Sequence, residues 1–529
     1  MMTQFFKIKF SQIFTILNNY KLPMISGVLQ ATSYIPFPPW ALFFCLVPLW
    51  FFWIKSDFKK SIIGTLVCAF IASFIGFHWI AITVHDFGQM PWVLALIALS
   101  GFSMIANIYL VFASITWRFV DLYINKDISL WLLPLITAVF MCFFPSLFPF
   151  NFGYAWIYAK LPGAQVADIF GVMSLAVVTL IINFLIFMAI KQKQYLKYGL
   201  IALAVFVTIN SLGLIRLKFL PVENESINVM VVQANIGNIE KQVSKNKYSY
   251  REVILDKYLS LSENTMAQLA TSTPNKKVDL VVWPETAYPS YVNLGTFDSL
   301  PNPLNEFAKK NNVAFVTGFY QSVGDQQVAN SILYVNQFGK LSDFPTQKTI
   351  LLAFGEYLPL AETFPSLRKL LPMVADFKRG PGPEARSILN IKVGPMVCYE
   401  SLFPDFSREL ANQEINLFIN LTNDSWYDDV FEPNQHMYIT AGRALENRRP
   451  IVRATNTGIS TVIKSNGEVM ELSPRDQEWT GLYDVFYPDK NYQSPYQKWG
   501  RTAHHFILIG FTLMLVILGF VLRRTKKQS

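Results

Sequence analysis

Val393-Gly394-Pro395-Met396-Val397-Cys398-Tyr399-Glu400-Ser401 is the stretch from which the fold can be read. A short apolar run bounded by polar residues reads as a strand buried on both faces. It ends on a cysteine, and the pattern then turns helical over 403–412. A nucleophile at a strand end is exposed while its backbone is held rigidly, and nearby N–H groups can stabilise an oxyanion. On the residues alone, Cys398 reads as a nucleophile or as an inert buried thiol. Working outward, further strands are expected at 228–234, 279–283, 313–319, 331–336, 415–420, 451–455 and 459–464. Helices are expected at 247–270, 302–311 and 434–447. Asn466-Gly467 between apolar runs signals a hairpin turn. Such alternation predicts a layered α/β domain over 221–500.

The flanks differ in kind. The chain has 529 residues, 52% hydrophobic and only 15% charged, which excludes a disordered protein and argues against a wholly soluble one. The net charge of +9 raises the question of nucleic acid. Its distribution answers it: residues 1–220 carry +9, 221–500 carry −5 and 501–529 carry +5. The positive excess therefore lies on the apolar ends, and no nucleic-acid partner is expected. Apolar runs long enough to span a bilayer occur at 61–84, 92–117, 129–149, 166–190, 198–217 and 505–522. The stretch 22–54 reads as two short spans, 22–36 and 39–54, broken at Pro36, Pro38 and Pro39. The expected architecture is a polytopic α-helical membrane domain of about eight spans, seven within 1–220 and the last within 501–529, with an exported α/β domain between.

Lysine and arginine placement sets the expected orientation. With a cytoplasmic N-terminus, 15 positive residues fall on cytoplasmic segments, from Lys7, Lys9 and Lys21 to Arg523, Arg524, Lys526 and Lys527. Lys160 alone lies on an opposite short loop. Both termini are then cytoplasmic and 221–500 is exported, with no cleavable signal evident. The spans are nearly free of charged residues, which argues against a transporter, and His78 reads as a satisfied or interfacial histidine. Cys45, Cys68 and Cys142 lie in spans as small buried hydrophobes. Cys398 is then the one exported thiol and has no disulfide partner.

A thiol needs a base or a neighbouring cation. Glu285 follows a strand as Trp283-Pro284-Glu285-Thr286. Lys348 precedes Phe354-Gly355-Glu356-Tyr357. Each alone reads equally as a solvated surface residue. His436 offers a Cys–His alternative without local support, and it stands without the convergent ligands of a metal site, so neither metal nor cofactor is expected. The region 353–385 mixes Gly and Pro with large apolar residues. It reads as a loop packed on its own domain or as a lid over an acyl chain, with Phe354, Tyr357, Leu360 and Phe364 as its candidate contacts.

Taken together, Val282-Trp283-Pro284-Glu285, Lys348 ahead of Phe354–Pro359, and Val397-Cys398-Tyr399-Glu400 resemble the nitrilase (carbon–nitrogen hydrolase) superfamily. Asn423-Asp424-Ser425-Trp426, Gln435-His436, Arg443-Ala444-Leu445-Glu446 and Arg453-Ala454-Thr455-Asn456-Thr457-Gly458 extend the match. With the spans, the chain is similar to the membrane-bound acyltransferase branch that completes bacterial lipoprotein maturation. The resemblance implies an α-β-β-α sandwich and a catalytic set of Glu285, Lys348 and Cys398. Tyr399 would supply an oxyanion N–H, with Glu356 and Glu400 in support. It implies acyl transfer from the sn-1 position of a phospholipid, phosphatidylethanolamine foremost, to the α-amine of a diacylated apolipoprotein through a thioester. It implies a multi-pass inner-membrane enzyme with the catalytic domain on the periplasmic side. A soluble-amide hydrolase is the rival reading and leaves the spans unexplained. One departure stands out: after Val232-Gln233-Ala234-Asn235-Ile236 the family continues with a Lys-Trp pair. This chain has Gly237-Asn238-Ile239-Glu240-Lys241-Gln242 and no Trp.

Overall fold

The computed structural model describes residues 10–237, 248–273, 276–292, 302–324, 327–370, 374–427 and 429–528. The chain forms two compact units, 1–215 with 501–529, and 216–500.

The first unit is helical. Among the described residues, six stretches are long and apolar enough to cross a membrane: Phe58–Gly76, Trp92–Tyr123, Lys126–Phe143, Val172–Gln192, Tyr195–Leu217 and Thr502–Thr525. Pro39–Lys55 is a shorter apolar segment, and Phe10–Ala31 is a further 22-residue helix. The number is roughly consistent with the expected eight spans, with shifted boundaries. The first helix covers Phe10–Ala31 among the described residues, and Pro23 lies inside it without ending it. The expected span 61–84 divides into Phe58–Gly76 and Trp79–Asp86. The span expected from 166 begins at Val172, after Gly171 takes a φ of 78°. The Pro36–Pro39 break lies where the sequence places it.

The second unit is built on two sheets. β1 (Glu225–Gln233), β2 (Leu280–Val282), β3 (Tyr288–Val292), β4 (Ala314–Val323), β5 (Gln327–Val335) and β6 (Thr346–Gln347) belong to the first. β7 (Arg386–Ile388), β8 (Ile391–Val397), β9 (Leu417–Thr422), β10 (Ile451–Thr455) and β11 (Thr461–Ile463) form the second, and β12 (Trp479–Tyr487) returns to the first. The orders are β12-β1-β2-β4-β5-β6, with β3 beside β4, and β11-β10-β9-β8-β7. β1, β2 and β4 are parallel to one another, as are β8, β9 and β10. These inner strands are apolar on both faces because each sheet is covered twice. Val229, Val231, Val282 and Val316 of one sheet meet Val393, Ile419, Leu421 and Val452 of the other in a common core. On the outer face of the first sheet, Met230, Val281, Trp283 and Phe315 pack with Ile254, Tyr258, Leu304 and Phe307 of helices Tyr248–Ser272 and Pro303–Asn311. Helices Pro404–Ala411 and Phe431–Asn447 belong to the second sheet's side. The result is the expected α-β-β-α sandwich.

Four strands escaped the sequence reading. β3, β6 and β7 are short, and β12 carries Gly481 and an exposed Phe486 within an otherwise alternating run. At Asn466-Gly467 the turn forms, with Gly467 at φ 78° and its N–H bonded to Lys464 O, but its second arm amounts to a single bridge, Ile463 to Val469.

The ends of the two sheets are stitched by side chains. Gln233 Oε1 accepts from the hydroxyls of Thr455, Ser460 and Ser473, and Asn456 Nδ2 donates to Ile236 O and Asn423 Oδ1. The departure at 238–242 lies outside the described residues. Gly318 on β4 permits a close approach: a Cβ there would stand 2.4 Å from Thr286 N and 2.6 Å from Glu285 Cα. Gly318→Ala is expected to displace that segment and destabilise the protein by about 1–3 kcal/mol, the usual range for overpacking. Thermal unfolding of the solubilised protein reads this out; an unchanged midpoint would show that the contact is not restrictive.

Candidate active site

Three strand ends bring the chemistry together. β2 stops at Val282, Trp283 is anchored through Nε1 to Ser262 Oγ (3.1 Å), and Pro284 cannot continue a ladder. Glu285 follows, buried, and Thr286 takes a φ of 52°, costly for a β-branched residue. Lys348 comes directly after β6, its N–H on Asn330 O and its carbonyl accepting from Gly380 N–H. Cys398 ends β8 and opens the 3-10 turn Cys398–Leu402, with φ of 50°.

Lys348 is 1% exposed. Its Nζ lies 2.8 Å from Glu356 Oε1 and 3.4 Å from Glu285 Oε1. Asn330 Nδ2 donates to both carboxylates, at 2.6 Å to Glu285 and 3.2 Å to Glu356. Glu356 Oε2 accepts the Leu352 N–H at 2.8 Å. Burial alone would push Lys348 down, but the charges of Glu285 and Glu356 hold it well above the usual lysine value. It is a fixed cation.

Cys398 shows the opposite balance. Burial, then the charge of Glu285, push its thiol well up, against the pull of Lys348 and the Thr422 hydroxyl. The resting group is therefore a thiol, and it needs a base at the moment of attack. Its left-handed conformation is latched by Glu400. One carboxylate oxygen accepts Thr349 N–H (2.6 Å) and Ile350 N–H (3.1 Å), and the other accepts Val397 N–H (2.7 Å). Glu400 thus joins the strand carrying Cys398 to the segment carrying Lys348. The first-turn N–H of Tyr399 lies next in the chain, as an oxyanion donor requires.

Below Cys398, the expectation that His436 stands alone fails. Helix Phe431–Asn447 brings His436 Nε2 to 3.0 Å from Ser401 Oγ and 3.2 Å from Cys398 O. Its Nδ1 lies 3.6 Å from Asp424 Oδ1 and 3.5 Å from Glu432 Oε1. The group forms only when the turn after β9 folds Asp424 back onto the helix that carries Glu432 and His436. Arg453 Nη2 pairs with Asp424 Oδ2 at 3.1 Å, and Gly458 admits the carboxylate, because a Cβ there would stand 2.0 Å from Asp424 Oδ2. Burial would raise Asp424, yet Arg453 and His436 hold it below its usual value. Burial and the Asp424 charge push Glu432 well up, while burial and Arg453 push His436 down. Arg453 is the fixed cation among these four groups. The cluster positions the Cys398 carbonyl; it is not a Cys–His dyad, since His436 reaches the backbone of Cys398.

The carbon-nitrogen hydrolase family profile matches residues 228–485, and that of the apolipoprotein N-acyltransferase N-terminal domain matches 26–185. Apolipoprotein N-acyltransferase of Bdellovibrio bacteriovorus is 36% identical, covering 96% of this chain and 94% of its own. That of Geobacter metallireducens is 30% identical, covering 87% and 88%. The chain belongs to the apolipoprotein N-acyltransferase family. It is a membrane-bound acyltransferase of lipoprotein maturation with a nitrilase-like domain. Among solved structures, an amidase from Nesterenkonia sp. covers 54% of this chain and 97% of its own, at 17% identity and a TM-score of 0.36.

The loop after Lys348 is divided between buried and exposed apolar residues. Leu351, Leu358 and Ala361 are buried in the domain, while Phe354, Leu360 and Phe364 are 60%, 67% and 55% exposed. Tyr357 is half-buried under the Arg379 guanidinium, 4.5 Å from its ring centroid. Part of 353–385 is thus packed on its own domain and part of it is exposed; Leu371 and Met373 lie outside the described residues. Sequence reasoning missed Asn330, Thr422, Asp424 and Arg453 as members of the site. A polar or charged residue inside an otherwise apolar buried strand was the available signal for Asn330 and Arg453.

Asn330→Ala removes two hydrogen bonds to carboxylates. At about 1.5–3 kcal/mol for a bond to a charged group, kcat is expected to fall about 10- to 100-fold. Steady-state transfer kinetics check it, with KM little changed. Glu400 gives a pH prediction. Burial pushes its carboxyl up to about 7, against the N–H groups of Val397 and Thr349, Lys348 and the Ile350 N–H. Its folded pKa thus exceeds the unfolded one, so its stabilising share is full below about pH 4.5 and is lost as pH rises through about 7. The latch itself works as a carboxylate, so activity is expected to rise through the same interval. Glu400→Gln should lower kcat about tenfold and abolish the acid limb near pH 7. An identical limb in variant and parent would reassign it.

Proposed function

We propose that Cys398 carries the acyl chain as a thioester, with Glu285 as general base and Lys348 with the Tyr399 N–H as the oxyanion site. The observation that carries this reading is the buried Lys348 ammonium held between Glu285 and Glu356 beside a thiol kept protonated. Glu285 takes the Cys398 proton and the sulfur attacks the sn-1 ester carbonyl of a phospholipid, phosphatidylethanolamine foremost. Negative charge moves to the carbonyl oxygen, where Lys348 and Tyr399 N–H stabilise it; one such donor is worth about 10²–10³ in rate. The lysophospholipid alkoxide leaves with the proton from Glu285. The α-amine of a diacylglyceryl-cysteine at an apolipoprotein N-terminus then attacks the thioester. Glu285 accepts the amine proton, the amide forms and Cys398 is expelled and reprotonated.

Phe354, Leu360 and Phe364, with Tyr357, form the contacts for acyl chains in this proposal. Exposed apolar side chains on one loop are costly in water and suited to lipid. The catalytic unit is periplasmic, in the inner membrane, with both termini cytoplasmic; the lysine and arginine distribution supports this orientation.

Mass spectrometry after incubation with labelled phospholipid is expected to find one acyl adduct on Cys398, absent from Cys398→Ala. The adduct should disappear on adding a diacylated lipopeptide with a free α-amine, and N-acylated lipopeptide should appear. An adduct elsewhere, or transfer that survives Cys398→Ala, would falsify this assignment.

A further inference from the structure

A second group of reactive side chains lies in the helical unit, where the transfer reaction makes no use of it. Cys142 sits in the last turn of helix Lys126–Phe143, and His504 and His505 open helix Thr502–Gln528. The two helices run antiparallel. At their other ends Asn125 N donates to Gly519 O at 2.9 Å, and Gly519 faces Ile124 and Ile128. The Cys142 sulfur and one ring nitrogen from each histidine lie within 4.8 Å of one another. Cys142 and His504 are 8% and 7% exposed. Both ring nitrogens of His504 are buried without a hydrogen-bond partner among the described residues. Such orphans are rare and call for an explanation, of which an ion is one. His505 is half-buried, its ring 4.3 Å from that of Phe143 and 4.3 Å from that of His504.

We propose that Cys142, His504 and His505 bind one thiophilic transition-metal ion, zinc(II) or copper(I). One thiolate and two imidazoles match the preferences of these ions, and magnesium or calcium would need oxygen ligands that are absent from this group. Around tetrahedral zinc, ligand atoms stand about 3.5 Å apart, so the three side chains close in by about 1 Å. The Cys142 thiol proton leaves to solvent as the sulfur–metal bond forms, and water takes the remaining position. Arg501 faces Cys142 and His504 and opposes a second cation, and the thiolate charge offsets it. The contrast with Asp424, Glu432 and His436 is instructive. There Arg453 already supplies the cation at 3.1 Å from Asp424, whereas the His504 nitrogens have no such partner. The ion pins the end of one helix to the beginning of the last.

The test uses the full chain in detergent, with any affinity tag removed and the metal stripped by chelator. Titration with zinc(II), cobalt(II) and, under reductant, copper(I) is expected to saturate at about one ion per chain for zinc or copper. The cobalt form should show a thiolate-to-metal charge-transfer band. Cys142→Ser should abolish that band, and His504→Gln should weaken zinc or copper binding at least about tenfold. Bound ion should raise the thermal midpoint of the parent and leave that of Cys142→Ser unmoved. Retained acyl transfer in both variants shows that they are folded. Failure of the parent to bind either ion, or equal binding by parent and both variants, overturns the proposal.

Discussion

The Lys348 ammonium is held in the interior by two carboxylates, and the catalytic unit is organised around keeping it there. An isolated buried charge costs several kcal/mol, and removing one partner of a buried pair costs about 3–5 kcal/mol. At an effective dielectric of about 20, one carboxylate 4 Å away returns about 4 kcal/mol. One partner barely balances the cost; two partners fix the charge state. That requires Glu285 and Glu356 to be delivered from different segments to within 3.4 Å and 2.8 Å of one nitrogen. Asn330, on the neighbouring strand β5, ties both to each other, so the arrangement cannot relax by letting one swing out.

Precision of that kind comes from a rigid support. Parallel strands buried on both faces leave their C-terminal ends as the places where side chains can emerge without breaking a ladder. Cys398 emerges there, and so, one residue beyond Pro284, does Glu285. Both places carry a backbone penalty, since Cys398 and Thr286 have φ near +50°. Such strain costs about 1–3 kcal/mol per residue and persists only where the surroundings over-determine it. Glu400 with the His436–Asp424–Arg453 group holds the first, and Gly318 leaves room for the second. The negative charge that Glu285 places beside the thiol helps keep the thiol protonated at rest, and in the proposed mechanism the same charge accepts the proton when an ester arrives.

Much of this was legible in the sequence, because the decisive signals are local. Strand–Cys–helix, Trp283-Pro284-Glu285 and the spans each fit within a window of some twenty residues, where apolar periodicity and punctuation speak clearly. What was not legible arises between distant segments. Asn330 reads as an ordinary polar residue until β5 is laid beside β4. His436 reads as solitary until Asp424 arrives from the end of β9, and Cys142 as a small hydrophobe until the last helix returns with His504. β12 is hidden because it pairs with β1 across some 250 residues, and Phe486 and Gly481 blur its alternation. Boundaries of apolar helices also drift, since Pro23 is tolerated inside a helix that other apolar residues support.

The low dielectric that fixes the Lys348 charge also decides which reaction such a site can complete. A thioester awaiting an amine must be shielded from water, which is present at far higher concentration than any lipoprotein. Shielding by polar side chains would bring water with them. Leu351, Leu358 and Ala361 anchor the loop after Lys348 in the domain, and that leaves Phe354, Leu360 and Phe364 outward, where in the proposed reaction lipid rather than water would satisfy them. Glu356 belongs to the same loop and ligates Lys348 directly. The loop's apolar residues and the Lys348 ammonium are thus joined within a few covalent bonds through Leu352 N–H and Glu356, and in the proposed mechanism a displacement of one would be felt by the other.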